Sequence, residues 1–280
     1  MGETSLLIFS FCLQAAIGTM IFITIGKHLY KDKKFKKAAL VTAGLSVIGI
    51  LASLSHLGQP LSFLNSLSNL GSSWLSNEAL MSGIFMGIAV LYALILYFKP
   101  DNHSLDSALR WAGSAFGLIA VFSMGKVYTT TVVPVWQGMN TFVDFFATTI
   151  AIGALIFIAT SLKELGNIDK KIYGFIVLAA VAIQAAVAIP HALSLAQEGM
   201  AAQASAAILN GMSVAIGLKW LLILGGAGIL MWPATQNTEA SEATITSGII
   251  YAACASLVIG QFIGRYVFYA AMIAINVGLS

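Results

Sequence analysis

The sequence predicts an all-α integral membrane protein with eight transmembrane helices and both termini on the periplasmic side. Three observations carry this. Hydrophobic residues make up 59% of the 280-residue chain and charged residues only 9%, against about 25% charged in an average soluble domain. The mean hydropathy is +0.90. Lys and Arg also alternate strictly between one set of connections and the other. A protein with so few charges cannot cover a soluble surface, and its backbone must satisfy its own hydrogen bonds in lipid.

The eight spans fall at about 5–26, 38–57, 77–98, 108–127, 141–162, 172–189, 211–232 and 245–271, within one transmembrane domain over 1–280. Each is close to the roughly 20 apolar residues a bilayer requires. The first follows "MGETSLLIFSF", which lacks the basic n-region of a cleavable signal peptide, so it reads as a retained helix. The first connection, "GKHLYKDKKFKK", holds six Lys. The third adds Lys99 and Arg110, and the fifth Lys163, Lys170 and Lys171. The second, fourth and sixth hold none, and the seventh is acidic. The positive-inside rule puts the Lys-rich connections in the cytoplasm of a bacterium and the protein in its inner membrane. The outward connections 58–76, 128–140 and 190–210 are long and contain helix breakers, a pattern common to functional loops. The second and sixth spans each end in a His near a Pro, "SHLGQP" and "IPHALS", which hints at a four-plus-four duplication.

The two cysteines, Cys12 and Cys254, lie in apolar spans and read as packing residues. No CxxC pair exists, so this protein alone cannot ligate an iron–sulfur cluster. A bis-His haem is disfavoured because only His56 and His191 approach the spans, both near helix ends. No metal motif is present.

Charge inside the bilayer is costly and marks cavities or partners. Lys126, Lys219 and Arg265 lie outside the cytoplasmic connections. With His56, Glu78, Asp144 and His191, they gather toward the outer leaflet. Each has a structural reading too. Asn77 can cap a helix, with Glu78 favouring its dipole. Asp144 can be a first-turn acid, and Lys126 can snorkel. Tyr128, Trp136, Trp74 and Tyr266 suit an interfacial belt. A His, a carboxylate and a cation without a metal suit a quinol site. Neutral His accepts a phenolic proton, a carboxylate orients it and passes the proton on, and Arg stabilises negative charge. The quinol tail needs a lateral opening, which the Gly- and Ser-rich "LSNLGSSW" could provide.

Two segments, "SHLGQPLSFLNSLSNLGSSWLSNEAL" and "GQFIGRYVFYAAM", resemble the membrane-anchor subunit of the anaerobic dimethyl sulfoxide reductase family. The matching elements are His56-Leu57-Gly58-Gln59-Pro60, Leu75-Ser76-Asn77-Glu78 and Gly264-Arg265-Tyr266-Val267-Phe268-Tyr269. "KVYTTTVVPVWQG" matches more loosely. The resemblance implies eight helices with both ends outside, no haem, menaquinol oxidation, and docking of an iron–sulfur subunit and a molybdopterin catalytic subunit on the periplasmic face. The terminal acceptor would be set by the catalytic subunit. His56 and Glu78 match residues implicated in quinol binding. With Arg265, Gln59 and Tyr128 they form the candidate quinol-binding set.

Two other readings compete. A secondary transporter could line a substrate path with Arg265 and Lys219. A related quinone-linked anchor could pump protons, but it would need protonatable side chains in the cytoplasmic half, and the sequence offers almost none there.

Overall fold

The computed structural model describes residues 2–55, 69–99, 101–165, 171–235 and 247–272. His56 and Gln59 lie outside them. Among the described residues every regular element is helical. In sequence order these are α1 (Gly2–Leu29), α2 (Lys36–Ser55), α3 (Trp74–Phe98), α4 (His103–Thr129), a single 3-10 turn (Pro134–Trp136), α5 (Met139–Leu165), α6 (Lys171–Leu195), α7 (Met200–Gly211), α8 (Ser213–Thr235) and α9 (Ser247–Ala270). Eight of these are long and apolar enough to cross a membrane; α7 is not among them. The protein is a multi-pass membrane protein.

The bundle is two four-helix groups built on one packing scheme. In the first, α1 packs on α2 and α4, α2 on α3, and α3 on α4. In the second, α5 packs on α6 and α9, α6 on α8, and α8 on α9. The groups meet where α1 lies against α5, and these are the two most buried spans. Lipid gives helices no hydrophobic reason to associate, so close backbone approach must do it. Gly18 and Gly153 provide that approach: a Cβ on either would overlap backbone atoms of the facing helix. Gly153 follows Gly18 by the same interval as His191 follows His56, and a Gly-basic pair closes each group as Gly125-Lys126 and Gly264-Arg265. The hint of a duplication thus recurs in the packing.

Buried hydroxyls on the central helices turn back onto their own carbonyls. Thr19 Oγ1 donates to Ala15 O at 2.7 Å, and Thr149 Oγ1 to Phe145 O at 2.8 Å. This is the local solution for a hydroxyl with no water to meet.

Two sequence expectations need correction. The sequence reading ends the sixth span at residue 189 and gives 190–210 to a connection with helix breakers. Instead α6 runs through Pro190 to Leu195, and α7 then forms from an Ala-rich stretch. Proline removes one helical hydrogen bond, and a helix held by its neighbours survives that loss. The second expectation is that almost no protonatable groups lie in the helix halves next to the Lys-rich connections. At the Lys-rich ends, Asp106 is buried, 2.7 Å from Lys27 Nζ and 3.3 Å from Arg110 Nε. By sequence Asp106 belongs to a polar connection, but α4 begins at His103 and turns it inward. Arg110 Nη1 also donates to Thr24 O at 3.2 Å. Two cations clamp one carboxylate and tie α1 to α4 there.

Candidate functional site

The polar groups on the N-terminal face, opposite the Lys-rich connections, sort into two lobes. The first lobe starts at Glu78. Its helix does not begin at Asn77. Ser73 occupies the N-cap, α3 opens at Trp74, and Asn77 Oδ1 instead accepts from Gly71 N at 2.9 Å. Gly71 has φ of 82°, a left-handed conformation that suits glycine. Glu78 therefore sits one turn deeper than a capping acid and is only 5% exposed. A dipole role at the first turn does not describe it.

Tyr128 closes α4 and faces α9. Its hydroxyl is 2.9 Å from that of Tyr269, which donates to Ser10 Oγ at 3.1 Å. The Glu78 carboxyl lies within electrostatic reach of both phenols. The tyrosines are not belt residues, and neither is Trp136. Trp136 is buried, stacks on Phe268 with centroids 5.4 Å apart, and donates Nε1–H to Phe268 O at 2.8 Å. Tyr128 packs edge-on against Trp136, Phe145 and Phe268. Trp136→Phe should strand that carbonyl and lower stability by about 1–2 kcal/mol, read as a lower Tm of the assembled protein. Tyr266, by contrast, is 54% exposed, as a belt residue should be.

The second lobe centres on Asp144. α5 starts at Met139, so Asp144 also lies beyond the first turn and points into the bundle. Its Oδ1 accepts from Gln184 Nε2 at 2.7 Å and lies 3.6 Å from Lys219 Nζ. Its Oδ2 lies 3.6 Å from Arg265 Nη2. Arg265 is 1% exposed and donates to Gln14 Oε1 at 2.7 Å. Its guanidinium sits 4.0 Å from the Phe145 ring centroid, where cation–π attraction helps offset desolvation. Gln184 and Gln261 exchange amide hydrogen bonds, and Thr148 donates to Gln261 at 3.0 Å. Lys219 and Arg265, read as a transporter's free cations, are thus both engaged by one carboxylate.

The remaining predicted residues fall at the edges. Lys126 Nζ lies 5.5 Å from the Trp74 ring centroid, on the rim of an apolar groove of about 420 Å³ between α4, α5 and α6. His191 is half-buried in α6, with Nε2 3.3 Å from Val135 O. The structure brings Tyr128 and Arg265 to the same aromatic pair, Phe145 and Phe268. Sequence reasoning misses Ser10, Gln14, Gln184, Gln261 and Tyr269. Three of these are amides inside apolar helices, and an intramembrane amide is itself a signal of a polar contact across helices.

Comparison with known proteins shows the family. Residues 1–271 match the family model described as DMSO reductase anchor subunit (DmsC). The anaerobic dimethyl sulfoxide reductase protein YnfH of Escherichia coli (strain K12) is 27% identical over 99% of this sequence and 98% of its own. The C subunit of the anaerobic dimethyl sulfoxide reductase of the same organism is 26% identical over 95% and 94%. The C subunit from Haemophilus influenzae is 31% identical over 53% and 54%. With a family model matched along nearly the whole sequence and eight membrane-crossing helices beneath it, the protein belongs to the membrane-anchor subunit family of dimethyl sulfoxide reductase.

Proposed function

We propose that this anchor subunit binds and oxidises menaquinol at the periplasmic side of a bacterial inner membrane. It then passes the electrons to an iron–sulfur subunit, which supplies a molybdopterin catalytic subunit. The observation that carries this reading is Glu78, a carboxyl buried in α3 on the face that also holds the Tyr128–Tyr269–Ser10 hydroxyl relay. A carboxyl in lipid needs a reason to be there. Removing two protons and two electrons from a quinol is such a reason. The relatives are subunits of anaerobic dimethyl sulfoxide reductases, and the Lys-rich ends favour an outward position for the opposite face.

In this mechanism each oxidation event releases two protons and two electrons. His56, which lies outside the described residues, accepts one phenolic proton. Glu78 takes a proton and hands it to water at the rim. The electrons leave to the clusters of the partner subunit. Gln59 and Tyr128 hold the ring oxygens. The apolar groove beside Trp74, walled by Phe122, Phe142 and Phe146, takes the isoprenoid tail. Arg265 acts from behind the aromatic wall: its charged partner is Asp144, so it shapes the field around the phenols rather than contacting the ring.

The test compares quinol-analogue binding and quinol-driven turnover in membranes holding the assembled complex. Glu78→Gln should cut turnover by on the order of 10²-fold with assembly intact, and His56→Arg should abolish analogue binding. If both variants bound the analogue and turned over like wild type, the site would be elsewhere.

A further inference from the structure

We infer that the second helix group holds a separate lipid site, one that takes the phosphodiester of an anionic phospholipid from the leaflet on the N-terminal face. A cavity of about 330 Å³ lies among α5, α6, α8 and α9, with Val135 before α5 and Leu209 of α7 at its rim. Its walls are mostly apolar, but Asp144, Lys219, His191 and Asn140 converge on it. It is open to the lipid along Ile189 and Leu193, both more than half exposed.

The charge of the cluster names the occupant. Lys219 and Arg265 are each paired with Asp144, which is the one carboxylate in contact with either among the described residues. Two cations therefore share one anion, and one positive charge is left over. Arg265 Nε and Nη1 are buried without a hydrogen-bond partner. In a low-dielectric bundle such an excess draws an anion. A neutral quinone ring would leave it in place. A phosphodiester would cancel it, with Lys219 as the charged donor and the Asn140 amide as a neutral one.

Position agrees. Asp144, Lys219 and Arg265 each lie five or six residues from the end of their helix on the N-terminal face, about 9 Å along the axis. For helices whose ends reach the bilayer surface, that depth lies near the boundary between headgroups and hydrocarbon. Lys219 is held there. Its ammonium lies 4.9 Å from the Trp220 ring centroid, and its stem packs on Gly264 so closely that a Cβ at Gly264 would meet Lys219 Cε at 2.7 Å. Acyl tails would follow the exposed aliphatic side chains of α6 outward.

The experiment uses the assembled complex, incorporated into vesicles of equal phosphatidylglycerol and phosphatidylcholine. It is then extracted in mild detergent, and the retained lipid is identified by native mass spectrometry. The wild type should keep phosphatidylglycerol in preference to phosphatidylcholine. Lys219→Gln should lower that retention by about tenfold or more. Ile216→Trp, which fills the cavity and removes none of the charges, should do the same and decides the matter alone if Lys219→Gln fails to assemble. Equal retention of both lipids would overturn the proposal. So would retention unchanged in the variants, or a quinone displaced by them in place of the phospholipid.

Discussion

Replacing Gly153 with leucine is expected to abolish accumulation of the folded protein, the largest effect in this molecule. At this crossing a Cβ would overlap the Gly18 backbone, and one on Gly18 would overlap the Thr149 carbonyl. A flexible side chain could yield, but the backbone cannot. Overpacking a core costs about 1–3 kcal/mol where neighbours adjust, and more where they do not. Here the only adjustment is to push α1 and α5 apart, which unmakes the seam between the two helix groups. Lipid would reward that separation, since helix association in a bilayer rests on close packing. Fluorescence-detected size exclusion of detergent extracts reads the outcome as loss of the monodisperse peak. Gly44, around which a Cβ meets nothing within 4 Å, is the control, and Gly44→Ala should accumulate normally. A normal peak from Gly153→Leu would mean the helices do not cross as described.

The second large effect is expected at Asp144. Asp144→Ala removes the carboxylate that faces both Lys219 and Arg265 and takes one of its acceptors from the Gln184 amide. Breaking a buried ion pair by deleting one partner costs about 3–5 kcal/mol, because the remaining charge stays buried. The variant should melt far below wild type in a detergent thermal-shift assay. The mechanism makes a further demand. If unpaired charge is the cause, neutralising one cation should recover part of the loss. Asp144→Ala combined with Lys219→Met should therefore be more stable than Asp144→Ala alone, a non-additivity expected of residues in one cluster. Additive losses would mean that Asp144 acts through packing instead.

Much of the fold is legible in the sequence because composition and periodic apolarity have few solutions in lipid. Eight runs of sufficient length become eight helices, and connections rich in Lys become one face. The helix ends are less legible. Asn77 looks like a cap, but Ser73 takes that place four residues earlier, and the difference carries Glu78 from a first-turn position into the interior. Pro190 looks like a stop, yet neighbouring helices hold α6 together through it. Asp106 looks like a loop acid until Lys27 and Arg110 close on it. For Pro190 and Asp106 a local rule met a tertiary contact worth more than the rule.

By itself the sequence determined that this protein crosses a membrane eight times, which connections share a face, and which residues are too polar for lipid without a purpose. Partnership was decided only in the folded bundle. Arg265 had to have a counter-charge, but Asp144 is more than a hundred positions away and no spacing rule names it. No spacing rule names Tyr128 with Tyr269, Lys219 with Asp144, or Gly18 with Gly153 either. Burial cost acts on one residue at a time, so it can be read along a sequence. Pairing depends on how helices distant in sequence are brought side by side, and that is fixed only when backbone meets backbone at the α1–α5 crossing.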